Sequence, residues 1–290
     1  MSPGASVREV ARILTEQDIL HYPCWFELKV RWSGIPLQAG EYDLKTTMSL
    51  TEVMHQLQTG AVRQRSFTII EGTRFQQIQA AFLSNPYVTH TLETLTLAEL
   101  MEQLGLPSQT PEGWFLPETY YFPKGTADLD ILKRAHHAMQ SKLAAYWQSR
   151  DPRVILETPY QALILASIVE KETADPAEYA MIAAVFYHRL NKGMRLQTDP
   201  TVIYGLGDAY QGNLTKQHLH QDTPYNTYVH AGLPPTPIAM PSQTALMAVL
   251  HPIETNALYF VAKPGGGHVF SETLQAHNRA VAQYQLRRVN

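Results

Sequence analysis

Ala162-Leu163-Ile164-Leu165-Ala166-Ser167-Ile168-Val169 is apolar at every position but Ser167, and it runs directly into Glu170-Lys171-Glu172-Thr173. An unbroken apolar run of this length reads as a helix buried on all sides, although its Ile and Val residues also allow a strand. Asp175-Pro176-Ala177-Glu178 follows at once, with an N-cap residue, a proline at the first helical position and an acid three beyond the cap. A second helix is therefore expected to reach Lys192 and stop at Gly193, and the two helices should form a tight hairpin.

Downstream of the hairpin, Thr198-Asp199-Pro200 repeats the cap-plus-proline signal for a short helix through Tyr204, ended by Gly205. Proline and polar residues dominate 224–241, and Ser242 should start a helix to Leu250. A strand at 258–262, a Gly265-Gly266-Gly267 turn, His268-Val269-Phe270 and a helix from Ser271 to the end complete the chain. Upstream, Ser6 with Glu9 resembles a capping box ahead of Val7, Val10, Ile13 and Leu14, and a second apolar stretch covers 25–32. Gly40-Glu41-Tyr42-Asp43-Leu44 alternates as a short strand should, and Ser49 caps Leu50, Val53, Met54 and Leu57 up to Gly60. A strand at 67–70, helices over 73–83 and 96–104, and a long helix over 128–147 follow. Aromatics among prolines and glycine make 111–123 a poor helix and a poor central strand, so it is read as an ordered surface loop that could wall a groove. The resulting class is α+β, with a small N-terminal module and a larger second domain.

The 290 residues suffice for about two domains, each with its own core. Hydrophobic residues at 44% exclude wholesale disorder, and no window approaches the ~18 unbroken apolar residues of a membrane span. Twenty-three basic against 26 acidic residues leave a net charge of −3 with no basic block, which argues against a nucleic-acid partner. One cysteine, Cys24, permits no internal disulfide and no thiolate zinc site; beside Trp25 and Phe26 it reads as a small buried hydrophobe. The opening residues 1–5 look like vector or linker sequence ahead of a domain.

Glu170 is the first candidate for chemistry. At helical spacing it shares a face with Leu163, Ala166 and Ser167, so a carboxyl group continues an otherwise apolar or small stripe. Partial burial would disfavour its charged form, as a general acid requires; the bland alternative is a charged residue marking the solvated end of a buried helix, as Lys171 and Glu172 would also do. Asp199 is either a helix cap or, with Gln197 and Thr198, part of a sugar site. Tyr225-Asn226-Thr227-Tyr228 lies among prolines that hold a loop in place, and its amide and phenols suit an amino sugar. The Gly205-Leu206-Gly207 and Gly265–Gly267 stretches lack the strand and Lys-Ser/Thr of nucleotide-binding loops. His136-His137 and His218/His220 lack zinc-protease spacing and read as solvated histidines. No metal or cofactor is expected.

Residues 166–173, Arg195 through Gly205, and 225–228 together resemble the YceG-like endolytic murein transglycosylases. Glu112-Gly113-Trp114-Phe115-Leu116-Pro117-Glu118-Thr119, Gly232-Leu233-Pro234-Pro235, 258–261, 267–270 and His277-Asn278 match in the same order, over most of the chain. The resemblance implies a LysM-like module within residues 1–66 and a catalytic domain over 67–290. It implies cleavage of the β-1,4 bond between N-acetylmuramic acid and N-acetylglucosamine inside a glycan strand, leaving a 1,6-anhydromuramyl end, and it makes Glu170 the catalytic acid. Glu118, Gln197, Asp199, Tyr225, Asn226 and Tyr228 are the expected substrate-binding groups. Peptidoglycan strands are the implied partner, with the cell-wall synthesis machinery a further candidate. The family's single N-terminal membrane helix is missing from this sequence, so a periplasmic domain of an inner-membrane protein is expected without its anchor. Two rivals stand beside this reading: a two-carboxylate hydrolase using Asp199 or Glu172 to activate water, and a non-catalytic glycan-binding protein.

Overall fold

A computed structural model describes residues 1–2, 4–106 and 109–285. The last five positions of the expected C-terminal helix lie outside the described residues. By compactness the chain divides into two units, 1–67 with 84–91 and 119–131, and 68–83 with 92–118 and 132–290. The first unit thus takes in two segments well beyond residue 66.

The first unit is built on three helices, α1 (Val7–Glu16), α2 (Pro23–Ser33) and α3 (Leu50–Thr59). Ser6 Oγ accepts from Glu9 N, and Ser49 with Glu52 makes a full capping box, so two helix starts expected from sequence are fixed by side chains. Val10, Leu14, Phe26, Val30, Val53 and Leu57 meet in a small core. Residues 40–44 do not form a strand. Gly40 N donates to Met1 O and Arg63 N to Glu41 O, and two isolated bonds are not a ladder. Strand β1 (Gln64–Thr68) pairs instead with β3 (Thr119–Pro123), and β2 (Val88–Thr89) pairs in parallel with β4 (Thr126–Ala127). Cys24 is exposed, because α2 turns Phe26 and Val30 inward and not the residues beside them.

The second unit contains α4 (Phe75–Leu83), α5 (Leu97–Gln103), most of α6 (Asp128–Gln148), the hairpin α7 (Pro159–Glu172) and α8 (Tyr179–Asn191), α9 (Asp199–Leu206), α10 (Lys216–His220), α11 (Gln243–Leu250) and α12 (Leu274–Tyr284). Every residue from Ala162 to Val169 is buried, because α7 packs against both α8 and α11. Thr158 caps α7 ahead of Pro159, and Asp175 Oδ1 accepts from Ala177 N to open a short 3-10 turn leading into α8. Strands β5 (Tyr259–Ala262) and β6 (His268–Ser271) form an antiparallel hairpin with Tyr259 opposite Ser271. Helix α12 starts after its Thr273 cap and not at Ser271, which ends β6.

The 111–123 segment differs from the expected surface loop. Residues 111–116 are buried, with Phe115 fully enclosed, and 119–123 are the strand β3. Three adjacent large apolar side chains release more free energy buried than a loop on the surface could retain. Gly113 makes this possible: its φ is +82°, and a Cβ there would meet Pro237 Cβ at 2.6 Å. His136 is likewise buried, its Nδ1 3.3 Å from Trp114 O, and only its neighbour His137 is solvated. No helix among the described residues is long and apolar enough to cross a membrane.

Candidate active site

The end of α7 carries two carboxylates that face different surroundings. Positions two apart on a helix point about 200° apart, so Glu170 and Glu172 cannot share one partner set. Glu170 Oε1 accepts from Tyr179 OH at 3.0 Å, and Oε2 accepts from Ser242 N at 2.8 Å. Tyr179 opens α8 and Ser242 caps α11, so the two helices that bury α7 also fix its terminal carboxylate. A turn before α4 closes on the same group: Gly72 N donates to Met240 O, Lys171 Nζ to Gly72 O, and a Cβ on Gly72 would lie 3.7 Å from Glu170 Cγ. Burial and then the Glu170 charge hold the neighbouring Glu71 carboxyl above its ordinary range. Burial, followed by that same charge, also raises the Tyr179 phenol, which keeps it protonated as a donor.

Glu172 looks into a cleft of about 590 Å³ whose lining also includes Gln197, Asp199 and Tyr228. Thr198 Oγ1 donates to Glu172 Oε1. Burial drives the Glu172 carboxyl up to about 7, and the Asp199 charge adds to this against the Thr198 bond and the Arg189 guanidinium. Glu172 is therefore a half-buried acid on the cleft wall, not the solvated helix end of the bland alternative. Asp199 is the first residue of α9, with Thr198 in the cap position, and its carboxylate accepts from Tyr228 OH at 2.6 Å instead of capping the helix. Gln197 precedes them with φ +53°, an uncommon conformation for a residue with a Cβ, held by its N–H to Thr227 O. Arg189 donates to the carbonyls of Leu258, Arg195 and Leu196, so this buried cation knits the cleft floor.

The structure therefore brings Gln197, Asp199 and Tyr228 together, but around Glu172. Asn226 is buried, and its amide donates to the carbonyls of His218, Leu219 and Gln221, so it shapes the loop and has no N–H left for a ligand. Tyr225 bonds Thr236 and stands edge-on to Tyr204. The Glu118 side chain is exposed, and its carbonyl accepts from Ile69 N. Four groups went unselected in the sequence: Tyr179, the Ser242 amide, Glu71 and Glu112. Glu112 is 5% exposed, accepts from Phe75 N and Tyr204 OH, and is raised to about 7 by burial. An acid directly before the Gly113-Trp114-Phe115 cluster was the available signal for it.

These features define an α+β protein whose buried helical hairpin ends in one clamped carboxylate, Glu170, and a second, Glu172, on the wall of a polar cleft. The YceG-like family matches residues 1–283, and the chain belongs to that family. A Bacillus subtilis protein named endolytic murein transglycosylase is 33% identical over 97% of this chain and 82% of its own length. A Streptococcus pneumoniae protein of the same name is 26% identical over 99% of this chain, which spans 58% of that relative. The crystal structure of a yceG-like protein from Listeria monocytogenes superposes with a TM-score of 0.63 at 30% identity, covering 97% of each chain.

Proposed function

We propose that this chain is an endolytic murein transglycosylase in which Glu170 alone serves as acid and then base. Protonated Glu170 gives its proton to the glycosidic oxygen as the muramyl C1–O bond breaks. The resulting carboxylate takes the proton of the same sugar's 6-hydroxyl as that oxygen closes on C1, so no water is consumed and the acid is regenerated. The observation that carries this reading is the grip on both Glu170 oxygens by Tyr179 OH and Ser242 N, which fixes the carboxylate while leaving lone pairs for the proton. Gln197, Asp199 and Tyr228 line the neighbouring cleft and are assigned to hold the strand beyond the cleaved bond.

Residues 1–66 are assigned a LysM-like role in glycan capture and 67–290 the chemistry. The work is placed at the periplasmic side of the inner membrane, where glycan strands and their synthesis machinery meet. Glu71 favours one second reading: it precedes Gly72, whose turn packs against Glu170, and a carboxyl there could activate water, as in a two-carboxylate muramidase. Mass spectrometry of the products from purified glycan strands separates the two. Anhydromuramyl ends are expected; reducing muramic acid ends would establish the hydrolase, and no fragments at all would leave only glycan binding.

A further inference from the structure

We propose that the outer face of α2 docks on the headgroup region of an anionic lipid bilayer. Trp32 is 90% exposed, Trp25 61%, Leu28 59%, and Tyr22 and Ile35 at the two ends of the helix 71% and 50%. On a helical projection Trp25, Leu28 and Trp32 fall within an arc of about 60° on the side opposite the buried Phe26 and Val30. The helix is therefore apolar on both faces, and only one of them is used by the core of its unit. Isolated exposed apolar residues are ordinary, whereas five on one short segment mark a contact surface.

The chemistry of the stripe selects the occupant. Tryptophan and tyrosine combine an apolar ring with one N–H or O–H, the combination suited to the boundary between acyl chains and headgroups. Leu28 and Ile35 supply aliphatic surface that can enter the acyl region, and no amide or carboxylate lies in the stripe to hydrogen-bond a sugar. Lys29 lies beyond the Trp25 edge and Arg31 beyond the Leu28 edge, the pattern of a helix lying in an interface. Between residues 19 and 39 the exposed Lys, Arg, Asp or Glu side chains are these two cations; Glu27 is half-buried and pairs with Arg31 at 3.8 Å. With Glu27 counted, α2 carries one net positive charge in a chain of net charge −3, and that sign complements anionic headgroups. The inference goes beyond the reaction assigned to Glu170 and does not depend on it.

The test is sedimentation of the full chain with vesicles of phosphatidylethanolamine and phosphatidylglycerol, with phosphatidylcholine vesicles as the uncharged comparison. Binding to the anionic vesicles is expected, weakened by salt and accompanied by a blue shift of tryptophan emission. The W25S/W32S double variant should bind at least about tenfold more weakly, and K29E/R31E should lose the anionic preference. All four side chains are exposed, so thermal unfolding should stay unchanged in both variants. Absence of binding, or binding that both variants retain, would overturn the proposal. So would a W25S/W32S defect confined to retention on insoluble murein, or to a concentration-dependent dimer, because either would identify a different occupant.

Discussion

Glu112→Gln should make the protein more stable at pH 8 than the wild type and leave it nearly unchanged at pH 4.5. The carboxyl is buried, and burial raises it from its ordinary 4.5 to about 7, against the Phe75 and Tyr204 hydrogen bonds. Between those values the folded protein keeps the proton that the unfolded chain has lost. Stability therefore falls as pH rises through the window and is level above it. The full fall from this one group is up to about 3 kcal/mol. Glutamine mimics the protonated acid: its oxygen still accepts from Phe75 N, and its amide can donate to the Tyr204 oxygen. Urea unfolding at intervals from pH 4.5 to 8 provides the measurement. Glu172, also held near 7, adds a fall in the same window, so the Glu112→Gln curve should be shallower, not flat. A Glu112→Gln curve parallel to the wild type across the whole range would refute the claim that Glu112 is buried as a neutral acid.

Tyr179→Phe removes one of the two donors on Glu170; a hydrogen bond to a charged group contributes about 1.5–3 kcal/mol, so kcat should fall about tenfold or more with KM little changed in steady-state kinetics on glycan strands. Gly113→Ala forces a Cβ into the left-handed region and against Pro237, and urea titration should register a loss of about 2–4 kcal/mol. Glu172→Gln should reduce turnover less than loss of Glu170 and act mainly on KM, because its carboxyl faces Thr198 and the cleft; equal kcat losses in the two variants would reverse the assignment of the acid.

The hairpin was legible because its signals are local. Eight successive residues from Ala162 leave a buried element little choice, and caps such as Ser49 and Ser242 act within three residues of themselves. What stayed hidden depends on partners remote in sequence. The alternation at 40–44 is a real strand signal, but a strand needs a neighbouring ladder that this segment does not find. The 111–116 cluster could be read as a groove wall until Pro237 and α6 covered it. In the site, Glu170, Gln197, Asp199 and Tyr228 are candidates from residue type and spacing, weighed against bland alternatives until the motif resemblance favours them, and geometry alone reveals that the last three surround Glu172. Asn226 illustrates the converse: a polar residue on a loop rich in hydroxyls and amides is equally suited to bonding its own backbone, and three carbonyls accept from its amide.

The central claim is that Glu170 carries the proton in both half-steps, and the direct measurement is turnover of purified glycan strands by Glu170→Gln with mass spectrometry of the products. The amide keeps the shape and can still accept from Tyr179 or Ser242, so thermal unfolding and strand binding should remain close to wild type. It has no proton to give at neutral pH, and positioned acid-base catalysis is worth about 10²–10⁴ in rate. The account predicts that anhydromuramyl products fall at least about a hundredfold in a folded, strand-binding protein. Retention of more than about a tenth of wild-type turnover, far less than the loss general acid-base catalysis implies, would contradict it and move the chemistry to another group.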